Sequence, residues 1–148
     1  MKVKLIVSDE HYSEISRELE SHGIEIDENS ELILSEKNAY IKHIIAKKED
    51  EIYRLSADKI THIESFSHDI FAYSEGQKYK IAERLVRLEN LLDPRDFMRI
   101  SNSVIVSLKH IKSIKPTITQ KFILTLMDGS KVDVTRKYYY IFKEFLGI

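Results

Sequence analysis

Phe97-Met98-Arg99-Ile100-Ser101-Asn102-Ser103-Val104-Ile105-Val106-Ser107 mixes two kinds of residue that a folded chain treats differently. Phe97, Ile100, Val104, Ile105 and Val106 are apolar and mostly β-branched or aromatic, the composition that suits a pleated, half-buried surface. Arg99, Ser101, Asn102 and Ser103 interrupt that run. An amide such as that of Asn102, buried without partners, costs roughly 2–7 kcal/mol. These polar groups therefore belong on a wet face, or in a loop that faces a partner. Ile111-Lys112-Ser113-Ile114 follows and resumes the strand-like pattern.

The flanking sequence extends a β scaffold in both directions. Downstream, Phe122, Leu124 and Leu126 share one face of a strand and Val132 and Val134 belong to the next. Asp128-Gly129 between them is a two-residue hairpin signal. From Arg136 to Leu146, Tyr138, Ile141, Phe142 and Phe145 recur at helical spacing. Upstream, strands are predicted around Ile44-Ile45, over Ile52-Tyr53-Arg54-Leu55 and over Ile60-Thr61-His62-Ile63. Ile70-Phe71-Ala72-Tyr73 and Gln77-Lys78-Tyr79-Lys80-Ile81 flank a turn at Ser74-Glu75-Gly76. Ile81, Leu85, Leu88 and Leu92 then form one helical stripe, Glu83 stands at i,i+4 from Arg87, and Asp93-Pro94 ends the helix. The first 40 residues read as a small acidic strand-helix-strand segment. Val3, Leu5 and Val7 alternate; Ser8 or Asp9 caps a helix carrying Tyr12, Ile15 and Leu19; Gly23 stops it; Ile24 and Ile26 follow. Leu32-Ile33-Leu34 is a further short strand. The expected class is mostly β with short helices (α+β), divided into residues 1–40 and 42–148.

Composition narrows the function. The chain of 148 residues has no cysteine, which removes disulfides, thiol nucleophiles and thiolate metal sites. No apolar run approaches the roughly 18 residues that cross a bilayer, and the opening residues lack a signal-peptide pattern, so a cytoplasmic location is expected. The net charge of −1 conceals an asymmetry: residues 1–55 carry eight Lys/Arg against thirteen Asp/Glu, whereas residues 95–148 carry ten against four. A basic carboxyl-terminal block gathers phosphates by displacing their counterions.

Three further pieces complete a pattern: Asp58-Lys59-Ile60-Thr61-His62-Ile63-Glu64-Ser65, the Asp128-Gly129 hairpin and Thr135-Arg136-Lys137. In this order and spacing, together with the stretches around Asn102 and Ile111, residues 42–148 resemble the LytTR family of DNA-binding domains. The resemblance implies an elongated arrangement of β-strands whose loops, rather than a recognition helix, contact duplex DNA. It implies transcriptional regulation at paired direct repeats in promoters. By the same resemblance, DNA contacts fall on His68, Asn102 and Arg136, with the loop around His68 about two residues shorter than in some relatives. The residues themselves support this placement. Arg136 and Lys137 follow Thr135, a predicted N-cap, so two cations occupy a first helical turn where the dipole disfavours them; a guanidinium there can meet phosphate or guanine O6/N7. Asn102 can pair bidentately with adenine. Arg99, Lys109, His110, Lys112 and Lys115 are candidate phosphate contacts.

The expected function is a sequence-specific duplex-DNA-binding transcriptional regulator, with no cofactor. A homodimer, formed through the amino-terminal segment or on DNA, suits direct-repeat sites. The alternative is a protein-interaction module with a LytTR-like sheet that has lost DNA binding. Enzyme readings are weak. The opening Val3-Lys4-Leu5-Ile6-Val7-Ser8-Asp9-Glu10 resembles the first strand and acidic pair of a response-regulator receiver, but the next domain begins too early for that fold. His62, Glu64 and His68 do not converge as metal ligands, because His62 and Glu64 share a strand face while His68 lies in a loop. No His-Glu-x-x-His, phosphate-binding glycine loop or Gly-x-Ser-x-Gly elbow occurs.

Overall fold

In the computed structural model, which describes residues 1–37 and 39–148, the alternation at the start of the chain becomes β1 (Lys2–Ile6), with Val3, Leu5 and Ile6 buried. The chain divides into two compact units, Met1–Tyr40 and Ile41–Ile148.

In the first unit, β1 leads through α1 (Asp9–Ser21) to β2 (Glu25–Ile26) and β3 (Ile33–Ser35). Both later strands pair parallel with β1, in the order β2-β1-β3. Ser8 occupies the N-cap of α1, but its hydroxyl makes no capping bond; it lies 3.2 Å from His11 Nδ1 instead. The Ser8 amide donates to Glu36 Oε2 at 2.9 Å, and Glu36 Oε1 meets His11 Nδ1 at 2.9 Å. That contact raises the His11 pKa above its ordinary value. The Ser8 amide bond, followed by the His11 contact, lowers that of Glu36. Gly23, at φ +76°, ends the helix as expected, its N–H bonding the Glu20 carbonyl. The stripe of Tyr12, Ile15 and Leu19 is not buried, for no side chain of α1 is. A 40-residue unit with one helix has too little sheet to cover a whole helix face.

The second unit is built on two antiparallel sheets. The larger contains β4 (His43–Lys48), β5 (Glu51–Ser56), β6 (Ile60–Phe66), β7 (Asp69–Ser74), β8 (Gln77–Ile81), β9 (Phe97–Arg99) and β10 (Val104–Ser107). Its strand order is β5-β4-β8-β7-β6-β10-β9. The smaller holds β11 (Ile111–Pro116), β12 (Phe122–Leu126) and β13 (Lys131–Val134), with β12 central. Two helices, α2 (Leu85–Leu91) and α3 (Arg136–Leu146), complete it.

The stretch around Asn102 lies where the two cores meet. Ile105 packs in the core of the large sheet with Ile60, Ile63, Leu88 and Phe97. Its neighbours Val104 and Val106 point into the second core with Phe122, Leu124, Val134 and Phe142. Strand β10 is thus buried on both faces, which is why its sequence is a continuous apolar run rather than an alternation.

Three local expectations need correction. Ile81 is not helical: it closes β8 opposite Ile70 and is buried there, so α2 starts only at Leu85. Glu83 precedes the helix yet still pairs with Arg87 at 3.2 Å. The β12–β13 connection is a three-residue loop, Met127-Asp128-Gly129, closed by Leu126 N–H to Ser130 O at 2.8 Å with Gly129 at φ +86°. Asp128 Oδ1 accepts the Ser130 amide at 2.9 Å, an Asx turn that takes up the extra residue. On α3 the covered face is Tyr138, Tyr139, Phe142 and Leu146, whereas Ile141 and Phe145 are 56% and 51% exposed. Phe122 decides this rotation, its ring lying 4.8 Å from Tyr139 and 5.4 Å from Phe142.

Candidate nucleic-acid interface

His68 sits at the tip of the β6–β7 hairpin. Phe66 pairs with Asp69, so the loop is only Ser67-His68, and both residues have positive φ, +49° and +70°. A two-residue loop with two left-handed residues is the turn that normally recruits Asn-Gly, because its twist matches the flanking strands. Two L-residues with side chains hold this conformation at a steric cost. The imidazole is exposed and, among the described residues, makes no hydrogen bond.

Asn102 is the apex of the β9–β10 hairpin. Ile100 N–H bonds Val104 O at 3.0 Å to close the loop, and the Ser103 carbonyl accepts from Ser65 N–H at 2.8 Å. Arg99 braces the loop from below. Its Nε donates to Ser101 O at 2.7 Å, its Nη2 to Asn102 O at 2.6 Å and its Nη1 to Glu89 of α2 at 3.0 Å. The Arg99 side chain is only 16% exposed. Its guanidinium thus holds the loop in place. The Asn102 amide points outward with no partner among the described residues. His68, Asn102, Arg99, Lys80 and Arg84 border one cleft of about 550 Å³.

Arg136 opens α3. The N-cap is Thr135, as the sequence suggested, although its hydroxyl makes no capping bond. Thr135 N–H donates to Ile100 O at 3.0 Å, which ties the start of α3 to the Asn102 hairpin. Arg136 Nε donates to Thr119 O at 3.1 Å, aiming the guanidinium along the β11–β12 loop. A second cleft of about 300 Å³, with Ser101, Ser103, Lys131 and Thr135 on its walls, lies between the Asn102 loop and α3. His68 and Asn102 thus share one cleft, and the Thr135 backbone bond ties the start of α3, where Arg136 stands, to the same hairpin.

The accessory cations divide. Lys112 is exposed on β11. Lys137 is exposed, its ammonium 5.5 Å from the Tyr138 ring centre. Lys109 is engaged by Asp58 at 2.5 Å, a bond that raises the lysine pKa and lowers the carboxyl's. His110 Nε2 lies 2.7 Å from the Asp58 carbonyl. Residues 109 and 110 thus lock the Leu108–His110 turn onto Asp58, in the turn that precedes β6. One-dimensional spacing does not reveal such a partner, because 51 residues separate Lys109 from Asp58. His62 is buried, stacked on Tyr73 with ring centres 4.2 Å apart, and burial lowers its pKa. Among the described residues no group of three His, Asp or Glu side chains is arranged for a metal, and no helix is long and apolar enough to cross a membrane.

Comparison with known proteins agrees with this architecture. The family profile of the LytTr DNA-binding domain matches residues 50–147. Sensory transduction protein LytT of Bacillus subtilis is 30% identical over 105 residues, covering 71% of this chain and 40% of that protein. Transcriptional regulatory protein LytR of Staphylococcus aureus (strain N315) is 28% identical over 123 residues, 82% of this chain and 50% of the relative. The chain therefore spans half or less of the length of these relatives. A solved LytTr DNA-binding domain from Bacillus cereus superposes with a TM-score of 0.70 at 26% identity, over 73% of this chain and 99% of that one. With strand-built cores, loop-borne polar groups and a family match that covers well over half of its length, this chain belongs to the LytTR family of DNA-binding domains.

Proposed function

We propose that this protein is a sequence-specific transcriptional regulator that grips duplex DNA through its loops. His68, Asn102 and Arg136 read bases or fix the register, and exposed cations, Lys112 and Lys137 among them, supply salt-sensitive affinity. The observation that carries this function is that His68 and Asn102, on one hairpin tip and one hairpin apex, border a common cleft, while the Thr135–Ile100 bond ties the helix that Arg136 opens to the Asn102 hairpin. Arg99 acts through Asn102 by holding its loop, and Lys109 stays with Asp58. Residues 42–148 form the DNA-binding domain. The acidic residues 1–40 serve self-association, and paired copies meet direct repeats in promoters. The setting is the cytoplasm, and no catalysis is involved.

A gel-shift titration of the chain against promoter duplexes, its own promoter included, tests this directly. Salt-dependent binding with a preferred sequence is expected. Absence of binding to every duplex would favour a protein-interaction module, a second function for which Ile141, Phe145 and Ile148 form an exposed apolar stripe on and just beyond α3.

A further inference from the structure

Lys121 carries no marking in the sequence pattern, yet it lines a basic recess of the second unit. A cleft of about 540 Å³ is lined by Thr119, Lys121, Thr135, Arg136 and Lys137. It offers three cations and two hydroxyls, and no carboxylate borders it. The cations come from two separate segments, the end of the β11–β12 loop and the first turn of α3. Among the described residues none of the three forms an ion pair, whereas Lys59, Lys80, Arg87, Arg99 and Lys109 each meet a carboxylate. Three cations lining one cleft without a carboxylate give it a positive potential that favours an entering anion.

The walls of the cleft are braced in advance. Thr117 N–H and its hydroxyl both bond the Lys121 carbonyl at 3.0 Å, closing the β11–β12 loop. Within the loop Gln120 is held at φ +58°, and its amide donates to the Tyr140 hydroxyl at 3.2 Å. With the Arg136–Thr119 bond, two contacts thus pin the loop to α3. The three cations are not equivalent. Arg136 Nε is already committed to Thr119, which directs the guanidinium, and the Lys137 ammonium rests near the Tyr138 ring. Lys121 is the remaining uncommitted point charge, the form of cation that suits a single phosphate.

We propose that this cleft seats a backbone phosphate of duplex DNA, with Lys121 as its principal cation and the Thr119 and Thr135 hydroxyls beside it. This seat presupposes the DNA-binding function proposed above and adds to it a sequence-independent anchor next to a base-reading group.

The test uses the full chain, fluorescence anisotropy and two probes: a random-sequence duplex pool, and a duplex that the wild-type protein enriches from that pool. Affinities are measured between about 50 and 200 mM KCl. Lys121→Gln should reduce the magnitude of the log–log salt slope by about 0.9 on both probes, about eightfold in affinity per decade of salt. Its preference between the probes should not change. Lys121→Arg should restore the slope. A Lys121→Gln slope equal to wild type, with wild-type sequence preference intact, overturns the phosphate seat alone. A slope lost equally in Lys121→Arg also overturns it, since charge is then not what matters. Failure of the wild-type protein to bind either probe removes the DNA-binding function and the seat together.

Discussion

His68→Gly is expected to make the protein more stable and a worse DNA binder. Ser67 and His68 both hold left-handed backbone, at φ +49° and +70°. For an L-residue this conformation costs roughly 1–2 kcal/mol, and His, which is enriched there, belongs near the lower end. Glycine removes that cost but loses about 0.5–1 kcal/mol through the greater freedom of the unfolded chain. The net gain is about 0.5 kcal/mol, which corresponds to a rise in Tm of roughly 2–4 °C for a domain of this size. The imidazole is exposed and unpartnered among the described residues, so its removal takes nothing from the core. If it contacts a base edge, affinity for a preferred duplex should fall by about 1–3 kcal/mol, roughly 5- to 150-fold. Glu75→Gly is the matched control. Glu75 is also left-handed, at φ +51°, in the β7–β8 turn at the other end of β7, and its one ion pair, to Lys59, is exposed. It should raise Tm without touching DNA binding. Thermal melting and anisotropy titration of both variants separate the effects. A fall in Tm for His68→Gly refutes the strain reasoning; unchanged affinity and base preference remove His68 from the interface.

Arg136→Ala should weaken binding to a preferred duplex by about 1–3 kcal/mol and relax base preference at one position; titration against single-base variants checks it, and an unchanged preference excludes a base contact. Lys112→Ala should weaken binding to all sequences alike and lower the salt slope by about 0.9, as read by the same titration in varied KCl. Arg99→Ala and Asn102→Ala should cost less together than the sum of their separate losses, because Arg99 acts by holding the Asn102 loop; additive losses in the double-mutant cycle would show independent roles. In the first unit, the His11–Glu36 contact should stabilise most between pH 4.5, the ordinary carboxyl value, and pH 6.5, the ordinary imidazole value. Its His11 part is complete below 6.5 and disappears as pH rises through the raised pKa, and its Glu36 part is complete above 4.5 and disappears as pH falls through the lowered one. Glu36→Gln should return the His11 titration, followed by NMR, toward its ordinary value; an unmoved His11 would show that the contact is absent in solution.

Period-two alternation and turn chemistry made most of the scaffold legible from the chain. The strands around Ile63, Ala72 and Leu124, the turn at Glu75-Gly76 and the stop at Gly23 all follow from local sterics and side-chain patterning, which act between residues near in sequence. Ile81 misled for a physical reason. It satisfies both a helical stripe with Leu85 and a strand pattern with Tyr79, and only its pairing with Ile70 selects the strand. The exposed face of α3 has a similar origin, since four apolar residues fit the stripe and contact with Phe122 alone chooses which are covered.

The positions of His68, Asn102 and Arg136 were marked in the sequence by residue type, order and family resemblance. The shared cleft of His68 and Asn102, and the tie of the α3 start to the Asn102 hairpin, were not, because they depend on contacts between distant segments, such as Thr135 N–H to Ile100 O. The same holds for the cations. Sequence counts ten basic residues after position 94, but only the folded chain separates Lys109, neutralised by Asp58, from Lys121, left uncompensated beside Arg136. Charge falls off with distance through space rather than along the chain. Composition therefore determined that a basic surface exists, and tertiary structure decided which of its charges remain available to a ligand.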